Sequence, residues 1–388
     1  MDEVDSVDGV DLVDGGDSVD AMGGGGLAAV EPVNGFAPRG DAANGFEPGY
    51  LALHRGGELA RRAEALWARL ADCDICPQDC RVDRLAGKIA ACFSAELPVV
   101  SSYVAHFGEE PCLSGSRGAG NVFFGLCNMR CVYCQNFQIS QNYKGERRNE
   151  VSLERLAEMT LELQERGCHN INFVSPTHFV PQTVKAIALA AERGLRLPIV
   201  YNTNAYDSVE VLRRLDGIVD IYLPDLKYAI DETAYDYSFI KGYAGAARAA
   251  IAEMHRQVGP LRLGPDGLAR RGMILRHLVL PNDLADSEES LTWIAETLGT
   301  DVTLSLMAQY YPTNKVDKGR DRWILMNRRI TLREYERVVE LAERLGFTDV
   351  MLQEHHEAGD YYRPDFEREH PFHWGETARD FSPPLTAE

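Results

Sequence analysis

The chain has 388 residues, room for one large domain or two modest ones, and its 45% hydrophobic and 26% charged residues are the balance of a globular protein. No apolar run approaches the ~18 residues a membrane span needs, and the acidic amino terminus lacks the basic and apolar regions of a secretory signal. An integral membrane protein is therefore excluded and a cytoplasmic location expected, while the formal charge of −19 argues against a nucleic-acid backbone as the main partner.

Asp recurs at every third position from Asp2 to Asp20, ahead of a glycine run from Gly23 to Gly26. Such a stretch buries too little apolar surface to offset chain entropy, so residues 1–48 read as a disordered acidic arm, either for docking or dispensable. Met22 offers an alternative start that would leave residues 1–21 untranslated. Leu59, Ala63, Leu66 and Leu70 share a helical stripe ahead of a cysteine-rich loop, and residues 49–112 read as a helical, cysteine-rich extension. An alternating core over 113–355 opens with a strand from Asn121 to Leu126, which enters a second cysteine cluster. Leu153, Leu156, Thr160 and Leu163 mark a helix over 152–166 that stops at Gly167. Ile171 to Val174 is a strand, and the next helix opens at Pro181 and closes at Gly194. Strands follow at Pro198 to Tyr201, Ile221 to Leu223, Met273 to Leu280 and Val302 to Met307, with helices between them, one over Ser287 to Leu298. Thr331 with Glu334 forms a capping box for a helix ending near Leu345, and Val350 to Leu352 is a last strand. Residues 356–388, with Pro364, Pro371, Pro383 and Pro384, read as an irregular tail.

This β-α-β-α rhythm with continuous apolar strands implies a parallel sheet covered by helices. A full or partial TIM-type barrel and a doubly wound sheet both fit, and either places working residues at the carboxyl ends of strands.

In a reducing compartment nine cysteines point to metal binding or catalysis rather than disulfides. Cys127-Asn-Met-Arg-Cys131-Val-Tyr-Cys134 is a CxxxCxxC just after a strand. Three thiolates from one loop hold three corners of a cubane iron–sulfur cluster, and since full protein ligation takes four cysteines, one iron is left open for chemistry. The three-residue gap and the missing fourth ligand disfavour zinc, and a thioredoxin-like reading of Cys131 and Cys134 leaves Cys127 unexplained.

With Tyr133 before the third cysteine, this motif resembles the radical SAM superfamily. The resemblance implies a partial (β/α)6 TIM-like barrel, a 4Fe–4S cluster on the three cysteines, and S-adenosylmethionine (SAM) on the open iron. Reductive cleavage of SAM then yields a 5′-deoxyadenosyl radical that abstracts hydrogen. The wider context, Glu110-Pro-Cys112-Leu-Ser-Gly, Phe123-Phe124-Gly-Leu-Cys127, Cys134-Gln-Asn136, Asp220-Ile-Tyr-Leu-Pro-Asp225-Leu-Lys227-Tyr and Leu280-Pro281, resembles the PflX-like branch related to pyruvate formate-lyase activating enzymes. That branch implies abstraction from a peptide glycine, as in activation of glycyl-radical enzymes, and an electron donor such as flavodoxin or ferredoxin. The alternatives are another protein or a small molecule as substrate, and, in a different class, a non-catalytic electron-transfer protein.

Carried over by residue, the resemblance puts Tyr133 against the adenine, with Asn202, Thr203, Asp225, Lys227 and Arg276 positioning SAM. Asn202 stands where activating enzymes carry Asp, and Ser175-Pro176-Thr177-His178 replaces a GGE stretch that receives the SAM amino group. Backbone carbonyls or the Thr177 hydroxyl must then serve, and His178 is a cofactor or substrate contact or a solvated loop residue.

Cys73-x₂-Cys76-x₃-Cys80-x₁₁-Cys92 is a second cluster, read as a zinc site, an auxiliary iron–sulfur site, packed reduced thiols or a redox CxxC. Cys112 joins either cluster or neither, and Cys168 reads as an inert core thiol. Gly115-Ser-Arg-Gly118-Ala-Gly120 precedes a strand, so it reads as a turn and not a phosphate loop. Gln309, Tyr310 and Tyr311 are candidate contacts at the barrel mouth or rim packing. Tyr228, Tyr235, Tyr237 and Tyr243 read as an aromatic loop, and His355 and His356 as solvated tail.

Overall fold

The computed structural model describes residues 46–316, 321–354, 364–368 and 371–372. His355 and His356, nearly all of the acidic arm and most of the carboxyl-terminal tail lie outside the described residues.

The strands are β1 (Val100–His106), β2 (Ala119–Phe124), β3 (Ile171–Val174), β4 (Ile199–Thr203), β5 (Ile221–Pro224), β6 (Arg262–Leu263), β7 (Ala269–Leu278), β8 (Thr303–Met307) and β9 (Val350–Leu352). Helices before β3 are α1 (Gly49–Arg55), α2 (Glu58–Ala68), the single turns α3 (Pro111–Ser114), α4 (Phe137–Ser140) and α5 (Tyr143–Glu146), and α6 (Leu153–Glu165). Those after β3 are α7 (Val180–Glu192), α8 (Val209–Arg213), α9 (Asp231–Ser238), α10 (Tyr243–Val258), α11 (Ser287–Leu298) and α12 (Leu332–Leu345).

One sheet runs β1-β2-β3-β4-β5-β7-β8-β9. From β2 onward its neighbours pair in parallel, while β1 joins β2 antiparallel and β6 joins β7 antiparallel. Strands β2, β3, β4, β5, β7 and β8 each lead into helix and β9 closes the series, so six strand–helix units build an α/β fold of the TIM-like partial-barrel kind. The runs Ile-Asn-Phe-Val of β3 and Ile-Tyr-Leu-Pro of β5 are buried almost throughout, as strands covered on both faces must be. Helices cover the outside with one apolar stripe each. On α12 the stripe is Tyr335, Val338, Leu341 and Ala342, and both capping-box bonds between Thr331 and Glu334 form. Among the described residues no helix is long and apolar enough to cross a membrane.

Several expected boundaries move. The first parallel strand covers Ala119–Phe124 rather than Asn121 to Leu126, because Gly125 and Leu126 turn out of the ladder. Gly125 is required by close approach: a Cβ there would sit 2.6 Å from Val99 Cγ1 and 2.7 Å from Glu146 Oε2. Strand β4 runs on to Thr203, so Asn202 and Thr203 are its last residues rather than a following loop. Strand β7 starts four residues early, at Ala269, where it pairs with β6. The expected aromatic loop is instead largely the helices α9 and the start of α10, with Tyr228, Tyr237 and Tyr243 buried and Tyr235 exposed. β1, inside the segment assigned to the extension, belongs to the sheet.

Candidate active site

A cavity of about 1260 Å³ opens at the carboxyl ends of the parallel strands. Each strand delivers residues to it: Cys127, Cys131 and Cys134 after β2, Ser175 after β3, Asn202 and Thr203 at the end of β4, Asp225 and Lys227 after β5, Arg276 within β7 and Gln309 after β8. At three successive strand ends a non-glycine residue takes a left-handed backbone: Leu126 at φ 64°, Ser175 at φ 57° and Ala205 at φ 62°. Each costs about 1 kcal/mol, and such strain collects where a loop must aim its groups at a site.

The three barrel cysteines share this one wall. Polar groups are trained on their sulfurs. Cys127 Sγ receives Met129 N–H at 3.4 Å and Asn204 Nδ2 at 3.6 Å, and Cys131 Sγ receives the Ser238 hydroxyl at 3.0 Å. Ser140 Oγ lies 3.2 Å from Cys134 Sγ. Burial lifts the Cys127 thiol to about 12 and the Cys134 thiol to about 11, so without a metal they hold their protons at neutral pH. Iron that displaced those protons would meet thiolates already supplied with hydrogen-bond donors, the surroundings an iron–sulfur cluster requires.

Lys227 Nζ sits 2.7 Å from Asp225 Oδ2. Burial works against the Lys227 charge, but Asp225 and Cys131 outweigh it and raise its pKa. The other Asp225 oxygen, Oδ1, is buried without a hydrogen-bond partner, an acceptor on the cavity wall awaiting a donor. Tyr133 also lines the cavity. Its hydroxyl accepts from Tyr228, 2.8 Å away, whose oxygen lies 2.8 Å from Ser238 Oγ, so a run of hydroxyls links the ring to Cys131. Tyr310 is spent on packing, with its ring edge against Tyr133 and its hydroxyl donated to Met326 O, whereas Gln309 reaches the cavity.

Arg276 does not stand free. Its Nε donates to Glu110 Oε1 at 2.7 Å and its Nη2 to Glu110 Oε2 at 2.6 Å, and Nη2 also bonds Glu109 Oε2. Asn121 and Asn172, from the interior of β2 and β3, donate to Glu109 Oε1 at 2.7 and 3.2 Å. Burial pushes the Glu109 carboxyl up, but Arg276 prevails and holds it below the usual carboxylate range. The sequence reading gave these two glutamates no role. The signal was Arg276 itself, since a guanidinium inside a strand needs a buried carboxylate.

Two expected contacts fail to reach the cavity. Thr177 is buried behind it, with its hydroxyl 3.0 Å from that of Thr203, which bonds Asp207. It is therefore no candidate acceptor for a cofactor amine. His178 is neither a cavity contact nor solvated. It is 1% exposed, turned away behind the β2–Cys127 junction, with Nε2 3.0 Å from Gly125 O. It lines a second, small pocket of about 10 Å³ together with Cys73, Cys76, Cys80 and Cys92. Cys112 joins neither cluster, packing with Leu113 and Val200, and Cys168 is a buried core residue. Among the described residues no group of three or more His, Cys, Asp or Glu side chains is arranged to hold a single metal ion.

The family model described as the radical SAM superfamily matches residues 121–256. An uncharacterized protein of Methanocaldococcus jannaschii, MJ0674, is 31% identical over 279 residues, which take in 70% of this chain and 75% of that protein. Among solved structures, HydG, a maturase of the FeFe-hydrogenase, aligns at a TM-score of 0.43 and 14% identity over 61% of this chain and 52% of its own. HydG from Carboxydothermus hydrogenoformans aligns at 0.42 and 14% over 62% and 55%. This chain spans about half the length of both, and likenesses this distant do not bear on the site.

Proposed function

This chain belongs to the radical SAM superfamily, a membership that implies a 4Fe–4S cluster, SAM and enzyme catalysis, and from that premise we propose that it is a PflX-like enzyme acting on a protein glycine. The observation that carries the reading is the meeting of Cys127, Cys131 and Cys134 with Asp225 and Lys227 on one cavity at the strand ends. Bound together, cluster and SAM supply reductive cleavage of the sulfonium to a 5′-deoxyadenosyl radical, which abstracts hydrogen.

The chain's own groups hold and orient. The three thiolates ligate the cluster, and the donors from Met129, Asn204 and Ser238 spread its negative charge. Asp225 Oδ1 would accept from a donor group of SAM, and Lys227, kept charged by Asp225, would hold its carboxylate. Tyr133 would pack on the adenine, and Asn202 and Thr203 would help to position SAM. Arg276 acts by fixing Glu109 and Glu110 on the wall, where they replace the carboxylate that Ser175-Pro176-Thr177-His178 lacks. A cavity of about 1260 Å³ is larger than a small-molecule cofactor needs, which supports a peptide segment entering beside SAM. A flavodoxin- or ferredoxin-like protein supplies the electron, in the cytoplasm.

The test is anaerobic reconstitution with iron and sulfide, reduction, and assay for 5′-deoxyadenosine after SAM is added. Deuterium passing from a glycine-labelled candidate polypeptide into deoxyadenosine identifies the substrate class. Cleavage with label drawn only from a small molecule overturns the peptide reading, and no cleavage by a fully loaded protein overturns the enzyme reading.

A further inference from the structure

Gln135, in the loop after β2, Gln309, just past β8, and Gln353, just past β9, all line the large cavity. Backbone groups fix which way each side-chain amide points. Gln353 Oε1 lies 2.8 Å from Ala308 N, and since a backbone N–H only donates, the oxygen is the atom that faces it. The Gln353 nitrogen then turns to Gln309 and donates to its Oε1 at 2.9 Å. Gln135 Nε2 lies 2.8 Å from Gln309 O, a carbonyl that only accepts, so here the nitrogen is the facing atom. Gln353 is itself pinned, because its backbone N–H reaches Leu306 O at 3.2 Å and Tyr335 Oη at 3.0 Å.

These bonds leave a defined remainder. Gln309 keeps both side-chain N–H groups and Gln135 keeps its Oε1, and among the described residues neither group has a hydrogen-bond partner. The bond from Gln135 to Gln309 O holds the two side by side, so free donors and a free acceptor share one part of the wall. Both are uncharged, and Met307, Met351 and Leu352 line the cavity next to them along β8 and β9. The charged groups Asp225, Lys227 and Arg276 come instead from β5 and β7.

A neutral group that offers one acceptor and one donor on the same side answers this remainder. An extended peptide residue does so, since its C=O and N–H point the same way, as they do when two strands exchange both bonds. We propose that Gln135 and Gln309, braced by Gln353, clamp the backbone of the substrate polypeptide. The Gln309 side-chain N–H groups donate to a peptide carbonyl, and Gln135 Oε1 accepts from a peptide N–H. A glycine has no side chain to be recognised, so holding it by its backbone is the available means of placing it in the cavity. The clamp rests on the peptide substrate proposed above. Adenine also carries a donor beside an acceptor on one edge, and it is the rival occupant that the experiment separates.

The test titrates the reconstituted, SAM-loaded full-length protein with pentaglycine blocked at both ends, followed by calorimetry, and records electron paramagnetic resonance of the reduced protein with and without SAM. The wild type is expected to bind the peptide. Gln309→Glu keeps the oxygen that Gln353 reaches and turns the free donors into a carboxylate, so it is expected to weaken peptide binding at least about tenfold. Gln135→Met removes the acceptor and is expected to weaken it about threefold. In both variants the spectrum should still change when SAM is added. A wild type that does not bind the blocked peptide, or binding as tight as wild type in either variant, overturns the clamp. So does a variant, fully loaded with iron, whose spectrum no longer responds to SAM, since the pair then holds adenine. Peptide binding that depends on Gln309, without any 5′-deoxyadenosine from the wild type, leaves the clamp standing and sinks the enzymatic reading alone.

Discussion

The loop at 127–134 and the loop at 73–92 are hydrogen-bonded neighbours, each rich in cysteine, yet they are built for different ends. Three thiols of the first face a cavity of about 1260 Å³, and four of the second close on one of about 10 Å³. The first is aimed by strand ends with left-handed residues at each junction, and the second is held by the buried Arg84 and by His178. The contrast teaches that open space beside the thiols, more than their number, decides whether a further molecule can join them. A missing ligand matters only where the protein leaves room for another molecule to supply it.

The sharpest way to break the comparison is at the first loop. Changing Cys127, Cys131 or Cys134 to Ala should abolish SAM cleavage to background, read by assay of 5′-deoxyadenosine. Surviving cleavage in any of the three would remove the open-corner account.

Next in size is Arg276→Gln, which leaves Glu109 and Glu110 buried and uncompensated. Breaking such a buried pair costs roughly 3–5 kcal/mol, and denaturant unfolding should show it. A double change of Glu109 and Glu110 to Gln in the same background should recover most of the loss. If Arg276→Gln unfolds like wild type, the carboxylate pair is not held as described.

Far less of the site than of the fold was legible in the sequence. Helix α11, helix α12 with its capping box, and strands β3 and β9 lie where periodicity and local caps place them, because those signals are contained within a few residues. Strand β1 escaped because its buried positions do not alternate cleanly, and β6 because two residues carry no period. The cluster motif was readable because its three cysteines are local. Glu109, Glu110 and the true surroundings of Thr177 and His178 were not, since each depends on which strands lie side by side. The family resemblance put Thr177 at the cofactor as a substitute for the missing GGE stretch, and the left-handed turn at Ser175 leaves it buried behind the wall instead.

A smaller effect concerns pH. Because burial raises the Cys127 and Cys134 pKa values, to about 12 and about 11, the stabilisation from protonated thiols is full at neutral pH and lost as pH climbs through those values. The metal-free protein should therefore weaken in strong alkali. Iron binding should show the opposite slope, strengthening by about tenfold per pH unit for each proton displaced. An iron affinity that is flat between pH 6 and 9 would mean the thiols ionise without metal. Smallest of all, Thr177→Val should cost about 1 kcal/mol of stability through its lost hydroxyl contact and leave SAM affinity unchanged. A weakened SAM affinity in this variant would put Thr177 back at the cofactor.

The central claim is an incompletely ligated cluster that takes SAM at its vacant iron. The direct measurement is electron paramagnetic resonance of the reconstituted, reduced protein with and without SAM. The account predicts a signal from the barrel cluster that changes shape and g-values when SAM is added. A fully loaded, reduced cluster whose spectrum is indifferent to SAM would contradict it.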